Sequence, residues 1–441
     1  MRRNASGIGC LAILSVCLGA VAVARLSGVQ SEVREALEAL DGYESSSDLS
    51  DPVHELSLKV ASGRVQLAWE PRHGYLLSVL RELKAPVSSQ TLVFSKTSEQ
   101  VDLISPKTPR AIYMGEDVYV AWVQGSRHLE LAAADARKGA VFYTLAQEPG
   151  RPPRFERTTK CIRCHVGPKT ADVPGFFVRS AKTSADGTPL SQVTEFVSGH
   201  SSPMNERWAG WYVTGRLEND VHLGNSFLDD FHHADAFNPK PGSAVVDLSD
   251  RFDTGKYPAP TSDIVAILLL DHSVKMRNLI AYAAYETRAA LRDRQAARES
   301  NGQVRDWSDD RIANAADSLL AYMLFRDEQP LKGKVTGTSS FAGDFARQGL
   351  RDRNGRSLRD LDLRTRLFVY PCSYLIDSQT FDGLPAEMKE VVWRRLDRIL
   401  AGEDRSPLFR TLAAADRQAV REILLDTKPG FRDWADAHPR R

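Results

Sequence analysis

The stretch that decides the fold runs from residue 111 to residue 143 and reads AIYMGEDVYVAWVQGSRHLELAAADARKGAVFY. It contains four runs rich in β-branched and aromatic residues, and Gly or charged residues bound each run. The runs lie at 111–113, 118–123, 129–131 and 141–143, and a similar run precedes them at 91–94. Runs of this composition are typical of strands, so we expect a small, mostly antiparallel sheet here.

The pattern changes on both sides of this stretch. An apolar-periodic segment at 75–83 predicts a helix before the sheet. After the sheet, Pro152-Pro153 interrupts the pattern and indicates a boundary near residue 150. Shorter strand patterns follow at 176–178, 194–197 and 211–213.

From residue 261 onward the period becomes helical. One face of the first helix carries three apolar residues and a histidine: Ile264, Ile267, Leu268 and His272. Thr261 or Ser262 is the expected N-cap of this helix.

The N-terminus has the pattern of an export signal. Arg2 and Arg3 precede a short apolar run at 8–24, which ends in small residues at 22–24. This favours a cleaved signal peptide over a spanning helix, which needs about 20 apolar residues; an uncleaved inner-membrane anchor is the alternative. We therefore expect a periplasmic protein, and a formal net charge of +1 argues against nucleic acid as a partner.

The motif that carries chemistry is Cys161-Ile162-Arg163-Cys164-His165. Two thiols at this spacing add to the vinyl groups of haem, and the next histidine reaches the iron. Export supports the same interpretation, because haem of this kind is attached after translocation. We predict one covalent haem c, with thioether links at Cys161 and Cys164 and with His165 as the proximal ligand.

A structural zinc site and a redox disulfide are the alternatives for the two cysteines. Zinc would need two further ligands at short spacings, and the sequence has no second CxxC and no HxxxH. Cys372 follows Pro371 in an apolar stretch and is expected to be a buried free thiol.

The second axial ligand decides whether the iron only passes electrons or also binds a substrate. The candidates, in order, are His222, His200 and His272. In a turn-rich stretch His200 could equally be an exposed polar residue, and on an apolar helical face His272 could be a core histidine with satisfied nitrogens. Met204 is a further candidate, or a methionine that packs on apolar neighbours.

Two arginines are candidates for binding the haem propionates. Arg207 begins a run with three aromatic residues at 207–212, and Arg179 follows the strand pattern at 176–178. Guanidinium groups bind carboxylates, although ordinary surface ion pairs would explain the same residues. His232-His233 lie among aspartates and could hold a divalent metal, but a solvated acidic loop is the simpler explanation.

Beyond the haem motif, several stretches of this chain resemble a family of exported, c-type cytochrome-like bacterial proteins with a single CxxCH motif. The resemblance runs over nearly the whole length, and the stretches that carry it are 88–98, 109–113, 207–215, 222–225, 262–266 and 371–376. Family members usually have histidine at the positions of His200, His222 and His272. At Met204 they more often have a plain apolar residue, and Arg277 replaces what is often a second helical histidine. The resemblance implies haem and export and names no substrate.

Together these patterns predict an α+β protein in four parts. Residues 1–24 are the signal peptide or anchor, 25–150 a strand-rich N-terminal domain, 151–245 the haem c segment, and 246–441 a mainly helical C-terminal domain. The expected function is electron transfer with redox proteins or a membrane electron-transfer complex. A haem oxidoreductase of the peroxidase or oxygenase type is the first alternative, because about 100 residues suffice for a one-haem domain. The second alternative is a haem-containing binding or sensing subunit of a membrane complex.

Overall fold

The computed structural model of the chain describes residues 42–45, 48–190, 195–227, 244–300 and 305–440. The strands are β1 Thr91–Val93, β2 Arg110–Met114, β3 Val118–Trp122, β4 His128–Asp135, β5 Gly139–Ala146, β6 Phe155–Arg157, β7 Val178–Ala181, β8 Glu195–Ser198, β9 Trp211–Tyr212, β10 Arg216–Leu217 and β11 Val335–Thr336. The α-helices are α1 Pro52–Ala61, α2 Leu76–Glu82, α3 Ile162–His165, α4 Ile264–Glu299, α5 Ser308–Met323, α6 Phe341–Arg347, α7 Gln379–Asp382, α8 Ala386–Leu400, α9 Ala414–Thr427 and α10 Pro429–Ala437.

Seven strands form one antiparallel sheet in the order β6-β5-β4-β3-β2-β1-β9. The predicted antiparallel sheet is confirmed, but the expected small size is wrong. β6 and β9 both lie beyond residue 150, so the sheet extends across the predicted boundary. β9 pairs with β1 through Leu92↔Tyr212 and Val93↔Trp211, which is a contact between distant residues that local patterns cannot reveal.

The two faces of the sheet pack against different parts of the chain, because successive side chains of a strand point to opposite faces. Tyr113 and Leu131 lie in the core that α1 and α2 close. Tyr119 and Phe142 lie in the other core, together with α4 and the rest of the helical half. The helical C-terminal half and the α+β class are therefore confirmed.

A close backbone approach holds the segment after the CxxCH motif against the β4–β5 hairpin. The N–H of Ala140 donates a hydrogen bond to the carbonyl of Pro174 (2.8 Å). Gly139 has a φ of +69°, and a Cβ there would lie 2.4 Å from the same carbonyl oxygen. Glycine is therefore required at this position both for the turn and for the contact.

The N-cap of the long helix α4 lies one or two residues after the predicted caps. Asp263 is its N-cap, and Oδ1 accepts hydrogen bonds from the first free backbone N–H groups of the helix (2.8 and 3.4 Å). The prediction of Thr261 or Ser262 as the cap is wrong. Ser262 Oγ instead links the backbones of β1 and β9 (2.9 and 2.6 Å), so the sheet uses this hydroxyl.

Among the described residues, no helix has both the length and the apolar character needed to cross a membrane. The expected leader at 1–24 and the His232-His233 pair lie outside the described residues.

Candidate haem-attachment site

The CxxCH motif forms one helical turn at the surface. The N–H groups of Cys164 and His165 both donate to the carbonyl of Cys161 (3.1 and 3.0 Å), and Ile162 anchors the turn in the core with 1% of its surface exposed. Cys161 is half-buried and Cys164 is exposed, and both are free thiols. The turn therefore brings two free thiols and an imidazole together.

The His165 imidazole has a fixed orientation. Its Nδ1 lies 2.8 Å from the carbonyl oxygen of Gly175, and the N–H of Gly175 donates to the carbonyl of His165 (2.9 Å). Phe142 and Phe177 lie on the ring, each with a centroid distance of 4.8 Å. A carbonyl can only accept, so the proton sits on Nδ1 and the lone pair of Nε2 is available to a metal.

Helix α4 holds the acceptor of this hydrogen bond in place. Asn278 Oδ1 accepts from the N–H of Phe176 (2.8 Å), and its Nδ2 donates to the carbonyl of Phe176 (2.7 Å). A Cβ at Gly175 would lie only 2.5 Å from Asn278 Oδ1. The segment after the motif can therefore pack against α4 in this way only if residue 175 is glycine.

The electrostatics keep both His165 and Cys161 neutral at pH 7. Burial lowers the pKa of His165 to about 4, and the positive charges of Arg110 and Arg179 act in the same direction. Burial raises the pKa of Cys161 to about 11, with a further contribution from the Glu130 carboxylate. A neutral imidazole is the form that binds iron.

Sequence reasoning missed an ion pair on the sheet beside the motif. Arg110 in β2 and Glu130 in β4 form a salt bridge on the sheet face that also carries Phe142. Arg110 Nε and Glu130 Oε1 are buried, and neither has a hydrogen-bond partner among the described residues. Such orphaned atoms are rare, and they suit a polar group that the protein binds here. In the sequence, only the side-chain alternation expected of a strand at 110–112 indicates that Arg110 points to the face that carries Phe142.

The candidate Arg179 lies beside the motif as well. It belongs to β7 and is half-buried, with its guanidinium 5.4 Å from the ring centroid of Phe177. The indole N–H of Trp211 donates to the Arg179 carbonyl (2.7 Å) and fixes the strand. Arg179 and Arg110 therefore both place positive charge near His165.

The other candidate, Arg207, lies in a separate buried network. Its guanidinium donates to the carbonyls of His200 (2.9 Å) and Ser202 (2.6 and 2.9 Å), and it lies 3.5 Å from the Asp271 carboxylate. Asp271 also accepts from the indole N–H of Trp208 (2.9 Å). The Arg207 guanidinium is therefore already bonded to oxygen atoms of the chain itself.

His200 and His272 belong to the same network. Their Nδ1 atoms lie 2.9 Å apart, and His272 Nε2 lies 2.8 Å from Ser373 Oγ. Both rings stack on Phe325, at 4.7 and 4.5 Å. His200 is only 3% exposed rather than exposed in a turn, and its Nε2 has no partner among the described residues. Burial lowers the pKa of His272 to about 3, so that imidazole is neutral.

His222 and Met204 complete the set of distal candidates. The His222 ring lies 5.3 Å from Trp208, its Nδ1 accepts from the N–H of Gly224 (3.1 Å), and burial lowers its pKa to about 4. Met204 is buried. His200 and His272 contact each other and His222 contacts Trp208, whereas the ring contacts of His165 are with phenylalanines. Each distal candidate stays a prediction.

The alternatives for the cysteines gain no support from the geometry. In the described ranges, no cluster of three or more His, Cys, Asp or Glu could hold a metal ion, and Cys161 and Cys164 are not joined. The predicted buried free thiol of Cys372 is confirmed.

Comparison of the chain with protein-family models, with curated proteins and with solved structures gave no match.

Proposed function

We propose that this chain is an exported c-type cytochrome that carries one covalent haem and transfers electrons in the periplasm. The observation that carries the proposal is the hydrogen bond from His165 Nδ1 to the Gly175 carbonyl, at 2.8 Å, on the same turn as two free thiols. It directs the Nε2 lone pair outward, as an axial ligand of iron requires.

The surroundings fit the remainder of a haem c. Cys161 and Cys164 would hold the two thioether links, while Phe142 and Phe177 would supply apolar walls. Arg179 and the orphaned Arg110 Nε would meet the propionate carboxylates. A bound haem supplies a one-electron couple, and the protein residues fix its ligand and exclude water from one face.

Electron transfer is preferred over peroxide or oxygen chemistry because of where the polar groups lie. An enzyme of that type needs a neutral histidine and an arginine beside the reacting ligand. Here Arg207 already donates hydrogen bonds to the backbone carbonyls of His200 and Ser202, so its guanidinium is engaged by the chain itself. The exposed Cys164 instead favours a cofactor edge close to the surface, where a redox partner can approach.

The haem proposal is tested by coexpressing the full chain with a haem-maturation system and staining a denaturing gel for covalent haem. Retention of haem by the parent and its loss in the Cys161→Ala, Cys164→Ala double variant are expected. A chain without haem, alongside a control cytochrome that matures normally, would refute the proposal.

Absorption spectra of the oxidised, reduced and carbon-monoxide-treated protein then test the role. A low-spin spectrum that carbon monoxide does not change is expected for an electron carrier with two side-chain ligands. A high-spin spectrum that shifts with carbon monoxide would favour the enzyme or sensor instead. Single substitutions of His222, His200, His272 and Met204 identify the sixth ligand, because only the ligand's loss changes the spin state.

A further inference from the structure

The segment that carries the CxxCH motif is much more basic than the chain as a whole. Residues 151–169 contain six Arg or Lys and one acidic residue, whereas the chain has a formal net charge of only +1. Two of these arginines have local partners. Arg151 pairs with Glu148 (2.6 Å), and Arg157 donates to the backbone carbonyls of 43–45.

Three of the remaining basic side chains surround the motif and are exposed: Lys160, Arg163 and Lys169. We call these three residues the basic rim. Lys160 directly precedes the first cysteine, and Arg163 lies between the two cysteines on the turn. The Lys169 ammonium lies 5.7 Å from the centroid of the Phe177 ring, which itself stacks on His165. In the residues that the structure describes, neither Lys160 nor Arg163 forms an ion pair.

Among the described residues, the acidic side chains near the motif are fewer than the basic ones. Glu130 is already paired with Arg110, and three exposed acids remain in the described surroundings, namely Glu156, Asp172 and Glu99. The half-buried Arg179 adds a further positive charge on Phe177. Among the described residues around the exposed Cys164, basic side chains therefore outnumber acidic ones, in a chain whose formal net charge is only +1.

We propose that the basic rim is the docking surface for an acidic patch on a redox protein partner. The inference rests on the proposed function, since electron exchange requires a partner close to the attached cofactor. Opposite charges around an exchange site steer a partner to the productive orientation and raise the association rate at low salt. The rim lies directly on the attachment turn, so a partner held by the rim faces the cofactor.

The sign of the salt dependence of electron exchange tests the proposal. The full-length mature haem protein is reduced and mixed in a stopped-flow instrument with anionic hexacyanoferrate(III) or with cationic tris(phenanthroline)cobalt(III), each of which takes one electron. Between about 0.01 M and 0.5 M ionic strength, the rate should fall with the anion and rise with the cation. The change expected for the anion is about tenfold or more.

The Lys160→Glu, Lys169→Glu double variant should weaken or invert both salt slopes. The matched control is Lys59→Glu with Arg64→Glu, two exposed residues at the end of α1 and just beyond it, on the opposite side of the sheet. The control should keep the parent's slopes. If charge reversal prevents haem attachment, Lys160→Gln with Lys169→Gln should still flatten the slopes.

Rates that do not depend on the rim, or that change equally in the control, would overturn the docking proposal while leaving the haem intact. Cosedimentation with phosphatidylglycerol vesicles tests the other anionic surface. Vesicle binding that needs the rim, with unchanged reagent rates, would make the rim a membrane contact and overturn the proposal. Absence of covalent haem in the parent would instead be a failure of the proposed function.

Discussion

The carbonyl of Gly175 orients the His165 ring, and it can lie there only because residue 175 has no side chain. A Cβ at this position would lie 2.5 Å from Asn278 Oδ1 and 2.8 Å from Thr170 Cβ. We expect Gly175→Ala to destabilise the fold by about 1–3 kcal/mol. The Asn278 amide is held by two hydrogen bonds to Phe176, so it cannot move away freely. Urea unfolding of the parent and the variant measures the difference.

The matched control for this change is Gly255→Ala. Gly255 is exposed, and the nearest atom to its added Cβ would be Asp253 Oδ1 at 3.3 Å. Its free energy of unfolding should stay close to that of the parent. Equal effects at both glycines would contradict the role assigned to Gly175.

Asp271 supplies the negative charge that compensates buried Arg207. Asp271→Ala should cost about 3–5 kcal/mol, because it leaves a buried guanidinium without a counter-charge. Glu55→Ala removes the carboxylate of an exposed pair with Lys59 (4.0 Å) and should cost little. Chemical denaturation at neutral pH compares the two variants, and a small loss in Asp271→Ala would show that Arg207 relies on backbone carbonyls alone.

His222 makes stability depend on pH. Its pKa is lowered by burial to about 4 in the folded protein, against about 6.5 in an unfolded chain. The unfolded chain therefore binds more protons between these values, and stability falls as the pH drops through the window. His222→Gln should reduce this slope by at most about 1.4 kcal/mol per pH unit.

Urea unfolding of the parent and His222→Gln between about pH 7 and pH 5 measures that difference. The comparison between proteins matters because Glu328, whose pKa burial raises to about 7, contributes a slope of opposite sign. Both proteins share that contribution. Parallel stability curves would contradict the prediction.

At the level of elements, the N-cap of α4 also holds a distant loop. Asp263 Oδ2 accepts from the N–H groups of Thr338 (2.9 Å) and Ser339 (2.7 Å), while Oδ1 caps the helix. Asp263→Ala should cost about 2–4 kcal/mol, which exceeds the cost of losing an ordinary cap, because the N–H groups of the half-buried Thr338 and Ser339 also lose their acceptor.

Asp263→Asn separates the two roles of this residue in thermal or urea unfolding. The amide oxygen can still cap α4, but its NH₂ group faces the loop N–H donors. Most of the loss should therefore remain in this variant. Full recovery by asparagine would show that capping alone accounts for the effect.

The sequence predicted those elements whose patterns are local. The helix at 75–83 and the strands at 91–94, 111–113, 118–123 and 141–143 are all present, with ends shifted by a few residues. The N-cap of α4 was misplaced because Thr261, Ser262 and Asp263 are all good caps, and only the contacts with β1, β9 and the loop distinguish them. The pairing of β9 with β1 could not be predicted from the sequence of either strand alone.

The candidate site was predictable only where its residues are contiguous. The CxxCH spacing indicates the thiols and His165 directly. Gly175, Asn278, Arg110 and Glu130 come from different elements, and their roles arise from packing that no local pattern encodes. Arg179 and Arg207 have the same chemistry in sequence, yet one lies beside the motif and the other lies in a separate network.

At the level of the whole molecule, one core joins the central segment to the helical half. It contains Phe142 of the sheet, Ile162 of the motif, Trp208 and many residues of α4 to α10. Residues 246–441 expressed alone should therefore not fold stably, because they would expose their share of this core. For the mature chain, tryptophan fluorescence and far-UV circular dichroism should give coincident unfolding transitions. A stable, cooperatively folded 246–441 fragment would contradict this.

The segment between β6 and β9 leaves the sheet at one edge and returns to it at the opposite edge. If the chain is exported from its N-terminus, as proposed, β1 to β6 emerge first, and the edge of β1 stays unpaired until Trp211 and Tyr212 follow. The CxxCH turn emerges soon after β6 and well before β9. In the proposed export, the two thiols would therefore be accessible to haem attachment before β9 completes the sheet.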